Sequence, residues 1–374
     1  VWKCVQSDLV ERVYCAPGNG GTGGMARNVP IGAADVVRIV EFAKRERLGL
    51  VVLGPEGAVD AGVGDALRSA GFNVFGPNRG AGRIESSKSF AKALMKRAGI
   101  PTADFEVFTQ PDPARAWARE RGGRVAVKAD GLARGKGVIV CFSTTESDAA
   151  IDAMLVEGRF GRSSSTIVVE ELLTGPELSV MAVTDGKDIV ALAPARDYKR
   201  AHEGDAGPNT GGMGAYSPPQ SVDDALVQEV VDRALRPAVR ELATGGDEFR
   251  GVLYAGVMLT KDGFRTIEFN ARFGDPEAQV VLPRLQSDFV AMALAAAKGS
   301  LGDFPDLRWD SQACVGVVVA SANYPADATM QTGFQIRGLA EMPPGVLIFH
   351  GGTRFEPSRG LVTDGGRVLT SVAL

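Results

Sequence analysis

The sequence predicts a multidomain protein of mixed α/β and α+β class: an N-terminal parallel-sheet domain, a central domain bearing a small lid, and a mixed C-terminal domain. Three observations predict it. Short apolar runs alternate with helically spaced segments over the first ~85 residues, the pattern of a parallel sheet crossed by helices. From Phe105 to about Leu173 the pattern changes to four strands enclosing two helices, and beyond residue 310 only short strands and turns remain. At 374 residues the chain also exceeds the roughly 250–300 that one core supports. The boundaries read from these shifts are 1–85 (N-terminal), 86–104 with 174–308 (central), 105–173 (lid) and 309–374 (C-terminal).

In order, Val10–Ala16 reads as a strand running into the turn Pro17-Gly18-Asn19-Gly20-Gly21. Asp35 can cap a helix reaching Arg47, with Val36, Ile39, Val40 and Ala43 on one face. Leu50–Leu53 is a buried strand ending at Gly54-Pro55-Glu56, followed by a helix and the strand Phe72–Phe75. Ligands gather at the carboxyl ends of parallel strands, which is where Asn19 and Glu56 fall. Ser86–Ala98 is a helix stopped by Gly99-Ile100-Pro101. In the lid, strands are expected at 105–108, 125–128, 138–141 and 166–170, with helices near 113–121 and 146–156. A hairpin turns at Asp185-Gly186; a long helix near 222–243, a second hairpin near 252–270 and a helix near 286–298 follow.

Bulk properties exclude several classes. A net charge of −4 gives no electrostatic basis for binding nucleic acid or an anionic membrane. No run approaches the roughly 20 apolar residues that span a bilayer, and no secretory signal opens the chain, so a cytoplasmic protein is expected. Cys4, Cys15, Cys141 and Cys314 are too dispersed for a metal pair and read as reduced thiols. Only His202 and His350 are available for imidazole chemistry. The chain opens at Val1-Trp2-Lys3 and stops at Leu374 after an apolar run; we expect residues missing at both ends.

Four segments carry candidate chemistry. Val127 to Val138 is a strand ending in Lys128, a loop with glycines at 131, 135 and 137 and with Lys136, then another strand. Free backbone N–H groups and lysines of this kind surround a triphosphate, although an ordinary Gly-rich hairpin has the same composition. The strand ending at Glu170-Glu171-Leu172-Leu173 can present backbone groups to an adenine edge, and Glu177 beyond it can accept from ribose hydroxyls; a solvent-facing acidic strand end is the alternative. In Thr266 to Glu277, period-two alternation puts Glu268, Asn270 and Arg272 on one face and Ile267, Phe269 and Phe273 on the other. A carboxylate beside an amide oxygen suits Mg²⁺, and Arg272 can hold a phosphate oxygen; an exposed hairpin with alternating polar residues is the alternative, which the following Gly-Asp-Pro turn does not fit. Finally, the glycine-rich loop 205–216 offers backbone donors at Thr210, Gly211, Gly212, Met213 and Gly214 that could close over a small anion, or it is a surface loop. Upstream of it, Lys199 can reach phosphate and Asp197 can orient an amine, or the charged run 196–200 is solvated surface.

Together these segments resemble the ATP-grasp superfamily, and within it the glycinamide ribonucleotide synthetase family. The resemblance rests on Gly-Pro-Glu at 54–56, Ser-Lys-x-Phe at 87–90, the lysine-glycine run at 128–138, Gly-Pro-Asn-Thr-Gly-Gly-Met-Gly-Ala-Tyr-Ser-Pro at 207–218 and Glu-Phe-Asn-x-Arg-Phe-Gly-Asp-Pro-Glu at 268–277. It implies an ATP-grasp fold with a pre-ATP-grasp N-terminal domain, and a monomer that joins glycine to 5-phosphoribosylamine in purine synthesis using ATP and Mg²⁺ or Mn²⁺. It also implies Lys88, Lys128, Gly135, Lys136 and Gly137 at the ATP phosphates, Glu170, Glu171, Leu173 and Glu177 around adenine and ribose, and Glu268 and Asn270 as metal ligands. Thr210–Gly214, Arg272, Asp275 and Pro276 would lie near glycine and the amine, with Lys199. The chain departs from the family in two ways. The N-terminal Gly-x-Gly-Gly-Arg-Glu-His loop associated with the phosphoribosyl group is absent, and glycine stands at 256, about where most ATP-grasp enzymes place a further carboxylate.

Overall fold

The structure, a computed structural model, describes residues 1–132, 137–204, 206–326 and 329–374. The N-terminal helix Val36–Glu46 starts where the Asp35 side chain accepts from the Arg38 N–H, and it ends at Arg47 in the left-handed region. Its Phe42 and Ala43 face inward. The expected parallel strands are present but make two separate pairs, not one sheet. Tyr14–Cys15 pairs with Arg27–Asn28, and Val51–Val52 pairs with Val74–Phe75. Residues 27–28 carry no strand signal in the sequence, being only two residues long. Residues of both pairs, among them Tyr14, Cys15, Val51 and Val52, line a cavity of about 980 Å³.

The helix expected at 86–98 is Lys88–Arg97, and a further helix, Arg79–Ser86, comes just before it. Ser87 is extended, so it ends Arg79–Ser86, and its hydroxyl then accepts from the Phe90 N–H to start Lys88–Arg97. A cap of this kind contributes about 1 kcal/mol. It also places Lys88 at the first turn of a helix whose Ala91, Leu94 and Met95 enter the core.

The lid is an antiparallel sheet in the order Phe105–Phe108, Ile167–Glu171, Arg124–Ala129, Val138–Phe142. Helices Pro111–Glu120 and Thr144–Ile151 cover one face through Ala114, Ala118 and Ile151, packed on Val125, Val127 and Val169. The central sheet runs Ile189–Ala191, Glu177–Thr184, Gly251–Thr260, Gly263–Asn270. Leu235, Val239 and Phe249 fill the space behind its Leu178, Val180 and Phe269.

The C-terminal sheet is less separate than the sequence suggests. Its order is Arg196–Asp197, Gly214–Ser217, Cys314–Ala320, Arg367–Ala373, Leu347–His350. Two of its strands therefore come from the central segment, and they bring the glycine-rich motif and Asp197 against the C-terminal residues.

Candidate active site

A cleft of about 700 Å³ opens between the lid and the central sheet. Its apolar part is made by Ala126, Val138 and Val140 of the lid, Leu172 and Leu173 of the connection, and Met258 and Ile267 of the central hairpin. Its polar part is a ring of lysines and carboxylates. Of the residues singled out in the sequence, Glu56, Lys88, Lys128, Gly137, Glu170, Glu171, Leu173, Glu177, Asp197, Lys199, Thr210, Gly211, Glu268, Asn270, Arg272 and Asp275 all line this one cleft. Gly135 and Lys136 lie outside the described residues.

The strand Gly263–Asn270 sets the geometry. Its register against Gly251–Thr260 pairs Gly256 with Glu268 and Val257 with Thr266, a bulge that leaves Ile267 without an opposite residue. Glu268 and Asn270 keep period two and both reach the cleft, while Phe269 is buried in the core. Ile267 does not follow Phe269 into that core as alternation predicts; the bulge turns it onto the cleft wall. Burial pushes the Glu268 carboxyl up, but Lys199, Lys88, Lys128 and Arg272 outweigh it and hold its pKa below the ordinary value. An ionised carboxylate with an amide oxygen two residues on fits a hard divalent cation, which fills its remaining positions with phosphate and water. No group of three or more acidic, cysteine or histidine residues among the described residues could hold a metal ion unaided.

The lysines are held by carboxylates. Lys128 and Lys92 both contact Glu170, one on each oxygen, and all three side chains are almost fully buried. Burial lowers the Lys92 pKa to about 7 and takes Lys128 well below its usual range, the latter helped by the charge of Lys92. Lys199 Nζ sits 2.7 Å from Glu177 and 3.9 Å from Asp197. Burial alone would lower Lys199, yet Asp197, Tyr254, Glu177 and Glu268 together raise it well above its ordinary value. Asp197 moves up to about 7, because burial and the nearby Glu277 and Glu177 oppose its charge more than Lys199 supports it.

Arg272 is not an unoccupied anion holder. Its guanidinium is 3.2 Å from Glu56 and 3.0 Å from Glu85, and Glu85 also accepts from the Ala271 N–H at 2.8 Å. The glycine-rich loop also differs from expectation. The Thr210 and Met213 N–H groups donate to the Lys199 and Tyr198 carbonyls, the Gly212 N–H to Thr210 Oγ1, and the Gly211 N–H to the Tyr324 hydroxyl. These four donors are thus occupied by groups of the protein and do not face an anion. Gly214 is a strand residue paired with Val317, and Pro276 packs against Gly212, so Gly212, Met213, Gly214 and Pro276 support the wall without lining it. Asn19 is remote from the cleft. Its side chain accepts from the Gly21 and Thr22 N–H groups and donates to the His350 carbonyl, beside the second cavity.

Four residues the sequence reading passed over belong to the wall: Glu85, Lys92, Glu277 and Arg367. Lys92 follows Lys88 by one helical turn, a spacing that puts both on one face and was available as a signal. Glu277 ends a motif already singled out; it accepts from Tyr254 at 2.6 Å and from Ser179 at 3.1 Å. Arg367 carries no local signal. It donates to the Gly211 carbonyl at 2.9 Å, the Asp275 carbonyl at 2.7 Å and the Asp275 carboxylate at 2.9 Å, closing one end of the cleft from the C-terminal sheet.

A lid over a lysine-lined cleft, with an oxygen-bearing hairpin strand below it, defines an ATP-grasp protein. Biotin carboxylase from Campylobacter jejuni shares this fold at a TM-score of 0.74 and 15% identity, over 100% of this chain and 84% of that one. The chain belongs to the phosphoribosylglycinamide synthetase family, whose N domain matches residues 1–85, ATP-grasp (A) domain 86–278 and C domain 314–374. A protein from Halalkalibacterium halodurans named phosphoribosylamine–glycine ligase is 47% identical over 98% of this chain and 85% of its own length. One of the same name from Escherichia coli K12 is 44% identical over 100% and 87%. The crystal structure of phosphoribosylamine–glycine ligase from Thermotoga maritima superposes with a TM-score of 0.85 at 32% identity, over 99% of this chain and 88% of that one. Among the described residues no helix is long and apolar enough to cross a membrane.

Proposed function

We propose that this chain joins glycine to 5-phosphoribosylamine, converting ATP to ADP and phosphate by way of glycyl phosphate. The observation that carries the reading is the convergence of an ionised Glu268 and Asn270 with Lys88 and Lys128 on one cleft that also has an apolar slot. Adenine takes the slot formed by Val138, Val140, Leu172, Met258 and Ile267. The triphosphate extends toward the lysines and the Glu268–Asn270 edge. Glu268 and Asn270 would hold Mg²⁺, which would supply charge neutralisation for the phosphates. The glycine carboxylate attacks the terminal phosphorus, and the amine nitrogen then displaces phosphate from the acyl carbon. Little covalent work falls to the protein; positioning and electrostatics dominate such transfers.

Asp197, with a pKa near 7 and Lys199 beside it, is suited to take the proton that the attacking amine releases. The lid excludes water from an acyl phosphate that would otherwise hydrolyse. The test is phosphate release from ATP with glycine and freshly prepared phosphoribosylamine. Release that requires both, with glycinamide ribonucleotide as product, is the expected result. Release independent of glycine, or dependent on another acid, would replace this reading with a different ATP-grasp ligase.

A further inference from the structure

We propose that Lys92 is a positioning residue for nucleotide binding: it holds Glu170 so that Lys128 is free to move from that carboxylate to a phosphate. The inference rests on the reading that this cleft binds ATP. Its basis is a closed ring of contacts. Lys92 Nζ donates to Thr102 Oγ1 at 2.7 Å, and Thr102 Oγ1 donates to the Thr266 carbonyl at 2.7 Å. Lys92 also contacts one oxygen of Glu170, whose other oxygen contacts Lys128, and Lys128 donates to the Ile267 carbonyl at 3.3 Å. The ring therefore begins and ends on neighbouring carbonyls of the bulge that precedes Glu268.

Two lysine amines share one carboxylate here, at 2% exposure for Lys92, 3% for Lys128 and 4% for Glu170. One carboxylate balances only one of them, in a place where charge is poorly solvated, and an arriving phosphate supplies the anion that lets both be charged. The two lysines are not equally free to answer it. Lys92 lies within the helix Lys88–Arg97, is bound to Thr102 and has its Nζ 5.6 Å from the centre of the Phe105 ring. Lys128 sits near the end of a lid strand, and among the described residues its second partner is the longer bond to Ile267. Lys128 is the one that leaves. Lys92 stays as the counter-ion that keeps the buried Glu170 satisfied. Without Lys92, Glu170 keeps Lys128 as its one ion-pair partner among the described residues and competes with the nucleotide for it.

The test compares the intact chain with Lys92→Met, Lys92→Arg, Glu170→Gln and the double variant Lys92→Met/Glu170→Gln, by Mg·ADP calorimetry and steady-state kinetics. Lys92→Met is expected to weaken Mg·ADP binding and raise KM for ATP about tenfold, because Lys128 must then leave Glu170 unpaired to reach the nucleotide. The kcat and the KM for glycine should stay within about twofold, and Lys92→Arg should retain most of the affinity. In the double variant the loss should shrink to about that of Glu170→Gln alone, since no carboxylate remains to trap Lys128. An unchanged ATP KM in Lys92→Met, an equal rise in the glycine KM, or additive losses in the double variant overturns the proposal. If Lys92→Met does not fold, Thr102→Val removes the anchor of the same lysine and should weaken ADP binding about two- to fivefold; unchanged binding there also overturns it. A wild-type chain that binds no Mg·ADP refutes the ATP reading itself, whereas wild-type binding matched by all variants refutes only the role of Lys92.

Discussion

Lys199 Nζ bonds Glu177 at 2.7 Å while standing 3.9 Å from Asp197, so one ammonium joins two carboxylates of the cleft, the half-exposed Glu177 and the buried Asp197. Asp197 titrates near 7 in the folded chain against about 3.9 unfolded. A raised acid favours folding fully below its unfolded pKa, and that contribution is lost as pH rises toward the folded value. Chemical denaturation should therefore show stability falling between about pH 4 and 7, with a flatter profile in Asp197→Asn. Lys199→Met should push Asp197 up further, since Lys199 lowers it. The acid limb of the pH–rate profile would then move to higher pH, and an unmoved limb would remove Asp197 from the reaction.

Glu268→Gln keeps the shape of the side chain and removes the charge that four cations hold in the ionised form. Turnover at fixed Mg²⁺ should fall by about two orders of magnitude, with thermal stability near that of the wild type. Part of the loss should return at high Mg²⁺, because Asn270 and the phosphates can still bind the ion. Wild-type rates at every Mg²⁺ concentration would remove Glu268 from the metal site.

The site was legible where chemistry and local periodicity coincide. Glu268, Asn270 and Arg272 occur at strand spacing inside a segment that fits no ordinary hairpin, and the structure places all three in the cleft. Ile267 escaped because a bulge is a property of the pair of strands; only the register of Gly256 and Val257 shows it. The donors of the 210–213 loop were legible as donors but not as occupied ones, since Tyr324, which takes the Gly211 N–H, is 113 residues away. The parallel class of the N-terminal segment was readable from its alternation. Its division into two pairs was not, because Arg27–Asn28 is too short to show a period.

Arg272 stands between Glu56 and Glu85, and the Glu85 side chain is only 8% exposed. Arg272→Met leaves that carboxylate buried without its cation, which costs about 3–5 kcal/mol. Burial already raises the Glu85 pKa, and Arg272 restrains it. Loss of Arg272 raises it further, so the destabilisation should be smaller near pH 5 than near pH 8. A pH-independent loss measured by urea titration would mean that Glu85 is not the group responsible.

Gly212 has φ +111°, and a Cβ there would stand 2.4 Å from Pro276 Cδ. Gly212→Ala is thus strained in its backbone and in contact with a ring that cannot bend away. It should lower stability by about 1–3 kcal/mol and raise the KM for glycine more than that for ATP, because Asp275 and Gly211 move with Pro276. An alanine variant with both constants unchanged would show that this wall does not shape the substrate site.

Arg367 binds the Gly211 carbonyl and both the carbonyl and the carboxylate of Asp275, so the C-terminal sheet fixes the distance between two wall segments that sequence alone leaves unrelated. Its side chain is about one-quarter exposed at the cleft, where the ion pair itself contributes little, and its effect should be on geometry. Arg367→Lys keeps the charge but cannot span three acceptors with a planar fork. It should lower kcat/KM for glycine and the amine about ten- to a hundredfold, the range expected when a reacting group is misplaced by an ångström. Mg·ADP affinity should hold, since Lys88, Lys128 and the apolar slot lie on other elements. Arg367→Met should behave like the lysine variant, because in both the planar bridge is lost. If the lysine variant instead matches the wild type, charge alone suffices and the bridging role fails.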